Sequence, residues 1–162
     1  MAPTILRYAG LDVPDNMDGE NLLPLIENEN KLEREDIALF NMWGNDEIQA
    51  MSVVNSEWKY IFWQYSDSLM QSTEELFNVG NDRLEMKGLA SDPGSAEELE
   101  KMRMVYDKHY DQLVNNVVDY NNYEKYKVLF NRNASAEERK PFLKGTYAAE
   151  LKKGKHQGYK IR

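Results

Sequence analysis

The sequence predicts an α+β fold in which a small four-stranded antiparallel sheet is packed by a C-terminal helix and followed by an irregular aromatic and basic tail. Residues 58–65 alternate with a period of two and are rich in aromatic side chains, which is typical of a strand. Residues 99–113 carry apolar side chains at spacings of three and four, which is typical of one face of a helix. Short segments between the predicted strands favour an antiparallel meander.

Two short apolar segments precede the sheet. Ile5, Leu6 and Ala9 have helical spacing, and Gly10 stands where a glycine commonly ends a helix. Residues 22–26 are apolar and contain Pro24, so they predict a single packed turn. Elements this short are not stable alone in water, and both must therefore pack on a neighbour.

The four strands are predicted at residues 37–43, 49–55, 58–65 and 75–79. Asn55-Ser56-Glu57 has the length of a hairpin turn between the second and third strands. In the third strand one face carries Trp58, Tyr60 and Phe62, and the other carries Lys59, Ile61, Trp63 and Tyr65. Because both faces bear large apolar groups, the sequence predicts a central strand that is covered on both sides.

The helix is predicted at residues 95–115. Ser95 and Glu98 have the spacing of a capping box, in which the Ser hydroxyl and the Glu carboxylate cap each other's backbone N–H groups. Its apolar stripe consists of Leu99, Met102, Tyr106, His109 and Leu113. His109 is interpreted first as a residue at the edge of the core and only second as a site residue.

Charge divides the chain into two predicted parts. Residues 119–162 contain eleven Lys or Arg and five Asp or Glu, a net charge of +6, whereas residues 1–118 have a net charge of −14. The basic extension either lies on the acidic body or reaches for a polyanion. Ser135 and Glu138 predict a short helix there, and the aromatic side chains expected to wrap across the body are Tyr120, Tyr123, Tyr126 and Phe130.

The composition excludes several classes of site. The chain has no Cys, so disulfides, thiolate metal sites and a Cys nucleophile are excluded. His109 and His156 lie far apart, and no phosphate-binding or dinucleotide-binding glycine motif is present. Asp15, Asp18 and Glu20 hint at a calcium loop, but the twelve-residue pattern fails. The chain is therefore expected to hold no catalytic, cofactor-binding or metal-binding residues.

Three groups of motifs, in this order, resemble those of sulfatases after their catalytic core. The first comprises Ala2-Pro3-Thr4, Ala9-Gly10-Leu11, Pro14, Met17-Asp18-Gly19 and Leu22-Leu23-Pro24-Leu25. The second is residues 52–63, with Trp58-Lys59-Tyr60-Ile61. The third comprises Glu75-Leu76-Phe77-Asn78-Val79, Asn81-Asp82, Glu85 and Leu89, with Arg83 where the family usually has Pro and Gly88 where it often has Asn. The resemblance covers about residues 2–114.

This resemblance implies that residues 1–118 are a sulfatase C-terminal subdomain. Sulfatases of this kind use a formylglycine, made from the Cys or Ser of a Cys/Ser-x-Pro-x-Arg motif, and a divalent metal, usually calcium, held by the N-terminal domain. Residues 91–95, Ser-Asp-Pro-Gly-Ser, lack the Arg, so they are rejected as this motif. The chain is then part of a sulfuric ester hydrolase, inactive alone, and its partner is the missing N-terminal sulfatase domain. Such enzymes are often periplasmic or secreted, but no signal segment is recognised here.

In the intact enzyme that the resemblance implies, the connection at residues 41–46 is expected to border the mouth of the active site, with Asn41, Trp43, Asn45 and Asp46 as rim residues. Trp43 offers a flat apolar face, as sugar or aryl groups often require, but the first interpretation of this side chain is that it caps the sheet.

Two other roles involve partners of the isolated chain. The apolar N-terminal residues predict a homodimer, unless the tail folds back over them with Phe142, Tyr147 and Leu151 and leaves a monomer. These N-terminal residues are Ile5, Leu6, Ala9, Leu11, Leu22, Leu23, Leu25 and Ile26. The alternative class of function is a stand-alone module whose tail binds polyanions, but the acidic body argues against nucleic acid, and no membrane span is present.

Overall fold

The computed structural model describes residues 2–15, 17, 19–27, 35–42, 48–65, 71–116 and 122–142. The chain divides into two compact units between Glu35 and Asp36. None of the described helices combines the length and the apolar character needed to cross a bilayer.

The described residues of the first unit form two short helices, α1 (Ala2–Tyr8) and α2 (Leu23–Glu27). Gly10 ends α1 with a φ of +74°, and the Leu11 N–H donates to the Leu6 carbonyl at 2.8 Å. These contacts form the glycine-terminated cap that the sequence predicts. The Thr4 hydroxyl accepts from the Leu22 N–H at 3.0 Å, which joins the two segments.

The second unit is built on an antiparallel sheet of order β1-β2-β3-β4, which confirms the predicted fold class. Its strands are β1 (Ile37–Asn41), β2 (Ile48–Val54), β3 (Lys59–Tyr65) and β4 (Thr73–Phe77). The turn between β2 and β3 is confirmed, since the Asn55 side chain accepts from the N–H groups of Glu57 and Trp58 at 2.9 and 2.7 Å. β4 ends before Asn78, whose carbonyl accepts from Asp82 N–H in a turn.

One long helix, α3 (Ala96–Asn116), covers one face of the sheet. Its buried stripe of Leu99, Met102 and Tyr106 matches the predicted spacing. Tyr106 is fully buried, and its ring meets the edge of Tyr60 at a centroid distance of 5.3 Å. The core therefore lies between α3 and this face of the sheet.

The predicted capping box at the start of α3 is wrong. Residues Pro93–Ser95 form a 3₁₀ turn that precedes the helix, and Asp92 caps that turn by accepting from the Gly94 N–H. The Ser95 hydroxyl donates to the Asp92 carboxylate at 3.0 Å. The Ser95 N–H donates to the Asp92 carbonyl at 2.9 Å, and the Glu98 carboxylate accepts from Lys101 at 2.7 Å. Both halves of the predicted reciprocal cap are therefore replaced, because the turn begins at Asp92 rather than at Ser95.

The predicted wrapping of aromatic tail residues is confirmed for Tyr126 and Phe130. The tail contains α4 (Tyr126–Leu129) and α5 (Ala136–Arg139), flanked by 3₁₀ turns at Asn122–Lys125 and Lys140–Phe142. Tyr126, Leu129 and Phe130 are buried in the core, and the Tyr106 hydroxyl donates to the Phe130 carbonyl at 2.8 Å. Tyr120 lies outside the described residues. Ser135 and Glu138 form the full capping box that the sequence predicts.

Candidate functional site

The sheet face opposite α3, here called the open face, forms a groove of about 370 Å³. The residues of the open face that line it are Leu39, Asn41, Ala50, Ser52, Lys59, Ile61, Trp63, Glu75, Phe77 and Glu85. The prediction that β3 is covered on both sides therefore holds only toward α3. On the open face Ile37, Leu39 and Ile48 remain 44 to 49% exposed. Sheet faces left to water are normally polar, so this one has an unusual composition.

The centre of the open face is a small apolar cluster. Ala50, Ile61 and Phe77 are buried there, with Trp63 and Val79 packed against them. They are buried by their neighbours on adjacent strands, since the register places Ile61 between Ser52 of β2 and Glu75 of β4. The apolar cluster is therefore flanked by the polar side chains of Ser52 on one strand and Glu75 on the other.

Glu75 of β4 borders this apolar cluster. Its Oε2 accepts from the Trp63 indole N–H at 2.7 Å, across the β3–β4 pair. In the part of the chain that the structure describes, no Lys, Arg or His forms an ion pair with this carboxylate. The Glu75 charge is thus held in place but not neutralised.

Lys59 and Glu85 form an ion pair at one edge of the groove. Lys59 Nζ donates to the two Glu85 carboxylate oxygens at 2.7 and 3.0 Å. Glu85 has a φ of 54°, in the left-handed region that is unfavourable for residues other than glycine. The ion pair with Lys59 helps to offset the cost of this backbone conformation. It also connects β3 to the segment that follows β4.

The predicted rim residues lie only partly within the described structure. Asn41 ends β1, is exposed, and lines the groove opposite Ala50 of β2. Trp43, Asn45 and Asp46 lie outside the described residues, so the structure does not place them beside Asn41. The sequence did not identify Glu75 and Glu85 as groove residues. The period-two pattern of β3 did signal the shared face of Lys59 and Trp63.

A second charged cluster is centred on Glu74, which points to the α3 side. Its carboxylate accepts from the Tyr60 hydroxyl at 2.5 Å, from Arg103, and from Arg132 at 3.3 Å. Arg132 also pairs with Asp107 at 2.7 Å. Burial alone would raise the pKa of Glu74, but the hydrogen bonds and the two guanidinium charges outweigh it and hold that pKa below 4.5. These groups join β3, β4, α3 and the tail, which indicates a structural role.

His109 lies at the edge of the core, as predicted. Its side chain is 15% exposed, and its Nε2 lies 2.5 Å from the Asp36 carboxylate, just before β1. Lys108 is a weaker partner of the same carboxylate at 3.8 Å. Nothing in the local sequence signals a contact between residues this far apart. The pair ties α3 to the start of the sheet.

The described residues do not fit a formylglycine or a metal cage. Among them, no group of three or more His, Cys, Asp or Glu side chains is arranged to hold a metal ion. Residues 91–95 lack the required Arg, and the Ser95 hydroxyl is bonded to Asp92. What the site offers is an apolar, shaped surface rather than reactive groups.

The family of the chain follows from comparison with known proteins. Residues 1–112 match the family described as N-sulphoglucosamine sulphohydrolase, C-terminal. The chain is also 28% identical over 115 residues to arylsulfatase K of Xenopus laevis. The aligned region covers 65% of this chain and 21% of that protein.

Solved structures show the same fold. The structure of BT4656 in complex with D-glucosamine-2-N,6-O-disulfate has a TM-score of 0.59 at 20% identity and covers 71% of this chain and 24% of that one. The Bacteroides fragilis protein yidJ, described as a sulfatase, has a TM-score of 0.53 at 16% identity and covers 76% of this chain and 25% of that one. The chain thus spans about a quarter of the length of the proteins that it matches.

Proposed function

Since the chain belongs to the family of sulphohydrolase C-terminal regions, we propose that it serves as the C-terminal part of a sulfatase. In this role it packs on a catalytic domain and borders the substrate, and it hydrolyses no sulfate ester alone. Its partner is an N-terminal sulfatase domain, which supplies the formylglycine and the divalent metal.

The open face is the observation that supports this proposal. Apolar side chains such as Leu39 and Ile48 stay about half exposed on it, and a patch of this kind rarely remains bare on a soluble monomer. The described residues provide a core between α3 and the sheet but no cluster that could hold a metal ion. A catalytic domain packed on the open face would bury its exposed apolar side chains, and it would also supply the reactive groups.

A chimera tests the proposal. The matching 115-residue region of Xenopus laevis arylsulfatase K is replaced by this chain. We expect the chimera to hydrolyse an aryl sulfate, whereas the isolated chain and the frog enzyme lacking that region do not. The measurement is the initial rate of each purified protein. Turnover by the isolated chain above background would show that the proposal is wrong, and so would an inactive chimera that folds and binds its metal normally.

The rim is tested in the same chimera. We propose that Asn41 and Trp43, with Asn45 and Asp46, border the mouth of the active site. Substitution Trp43→Ala should then raise KM while the melting temperature stays unchanged, because a side chain at the rim contacts substrate rather than the core. An unchanged KM with a lowered melting temperature would mean that Trp43 only caps the sheet.

The isolated chain has a further partner in our proposal, namely a second copy of itself. Ile5, Leu11 and Ile26 of the first unit are 55 to 70% exposed, and such apolar side chains favour a twofold contact. We expect light scattering to give twice the monomer mass of 18.9 kDa at high concentration. Ile5→Lys should restore the monomer, whereas a monomeric mass at every concentration would exclude the dimer.

The polyanion-binding alternative finds little support in the described part of the tail. Arg132 pairs with Asp107, Lys127 pairs with Glu124, and Lys140 pairs with Glu137. Arg139 is buried and donates to the Ser72 hydroxyl and the Asn131 carbonyl at 3.2 and 2.6 Å. Arg132 and Arg139 are therefore engaged within the fold, whereas the Lys127 and Lys140 pairs lie at the surface.

A further inference from the structure

We propose that the open face receives an apolar patch of the catalytic domain centred on one basic side chain, which pairs with Glu75. This inference rests on the proposed function and adds the chemistry of the partner surface. Three arguments support it. They are the exposed apolar side chains of the face, the charges of its side chains, and the failure of a second copy of the chain to supply the missing cation.

The apolar requirement comes from the exposed side chains. Ile37, Leu39 and Ile48 are each 44 to 49% exposed around the buried cluster of Ala50, Ile61 and Phe77. Covering such side chains removes apolar area from water, which is the main favourable contribution to association. The surface that covers the open face must itself be largely apolar.

The basic requirement comes from Glu75. Among the described residues that line this face, Lys59 is the cation, and Glu85 already pairs with it at 2.7 Å. Glu75 receives the Trp63 indole N–H at 2.7 Å, which leaves its second carboxylate oxygen open to a partner. A carboxylate that becomes buried without a cation is costly, so the covering surface must bring one. A guanidinium suits this position because it donates in a fork and stacks well on apolar and aromatic groups.

A second copy does not meet this requirement. A twofold contact would place the same face against itself, so each copy would offer Glu75, Lys59 and Glu85 to the other. The two Glu75 carboxylates would gain no new cation, because each Lys59 is already paired. The matched relatives have about three quarters of their length outside the region that this chain covers, and that part can supply a different surface.

The test uses the full 162-residue chain and three capped tripeptides as probes of the surface chemistry. The probes are acetyl-Leu-Arg-Leu-amide, acetyl-Leu-Glu-Leu-amide and acetyl-Ala-Arg-Ala-amide. Binding is followed by NMR through the Trp63 indole N–H signal, which reports directly on the Glu75 contact. We expect the Leu-Arg-Leu peptide to bind about fivefold more tightly than either of the other two, as one partly screened charge pair and two apolar contacts allow.

Glu75→Gln is the decisive variant, because Gln keeps an acceptor for the indole and removes only the charge. It should weaken the Leu-Arg-Leu peptide about fivefold and abolish its preference over the Leu-Glu-Leu peptide. The matched control is Glu97→Gln on α3, on the other side of the sheet, which should leave all three affinities unchanged. Circular dichroism verifies that both variants are folded.

Three results would overturn the proposal. The first is equal binding of the Leu-Arg-Leu and Leu-Glu-Leu peptides, and the second is that no peptide shifts the Trp63 signal. The third is a dimer of the chain that Leu39→Lys on the open face converts to monomer, whereas Met104→Lys on the α3 surface leaves it a dimer. Failure of the proposed function is distinct from these. An inactive chimera together with the expected peptide preference would assign the same apolar and basic surface to a different protein.

Discussion

Replacing Tyr106 by Ala is expected to cause the largest loss of stability of any single substitution proposed for this protein. The Tyr106 side chain is fully buried, its ring meets Tyr60 and Phe62 at centroid distances of 5.3 and 6.0 Å, and its hydroxyl donates to the Phe130 carbonyl. Truncation removes these contacts and leaves a cavity, so we expect a loss of about 3–5 kcal/mol in the free energy of unfolding.

Urea denaturation measures this loss as a shift of the unfolding midpoint, provided that the dependence of the free energy of unfolding on urea concentration is the same in both proteins. Tyr106→Phe keeps the ring and removes only the hydroxyl, and it should lose about 1 kcal/mol. Tyr8→Ala is the matched control because Tyr8 is 84% exposed, and a change within about 0.5 kcal/mol is expected there. A loss below about 1 kcal/mol for Tyr106→Ala would contradict the described packing between α3, the sheet and the tail.

The second large effect is expected from Glu74→Gln. This substitution leaves Arg103 and Arg132 close together without the carboxylate that both contact. Breaking a buried ion pair typically costs about 3–5 kcal/mol, and the 23% exposure of the Glu74 side chain reduces the expected loss to about 2–3 kcal/mol. The effect should be smaller in high salt, because the partly exposed charges are screened.

The pH dependence of this effect has a definite sign. The folded-state pKa of Glu74 lies below its ordinary value of 4.5, so the folded protein binds this proton less readily than the unfolded chain. The stabilisation is therefore complete above about pH 4.5 and is lost as the pH falls through the lowered folded pKa. The stability difference between the wild type and Glu74→Gln should shrink in that acidic range. A difference that stays constant from neutral pH to strongly acidic pH would show that the Glu74 charge is not responsible, and Glu97→Gln serves as the surface control.

The fold was predictable from the sequence where local patterns carry the information. The alternation in β3 and the three-four spacing in α3 predict both elements, because each period reflects which side chains face the core. The strand ends were less predictable, since β4 spans Thr73–Phe77 rather than residues 75–79. Its end depends on hydrogen bonds in the turn at Asn78 and Gly80, which local spacing does not show.

The two capping predictions show what a motif alone leaves open. Ser95 and Ser135 have the same local pattern, a Ser followed three residues later by Glu, but only Ser135 forms the box. Asp92 caps a turn that begins three residues before Ser95, and its carbonyl accepts from the Ser95 N–H, so this N–H is not available to Glu98. The site contacts were harder still, because Trp63–Glu75 and Lys59–Glu85 depend on strand register and on a left-handed backbone conformation. Neither of these is encoded within one short segment.

The burial of Tyr126, Leu129 and Phe130 in the core has a consequence for synthesis. The family match ends at residue 112, but the apolar cluster that holds Tyr60 and Tyr106 is completed by side chains made later. On the ribosome, a nascent chain that has reached the end of α3 still lacks these side chains. Cotranslational folding of this unit therefore cannot finish until the segment around Phe130 has emerged, and in that interval the unfinished core is a target for chaperones.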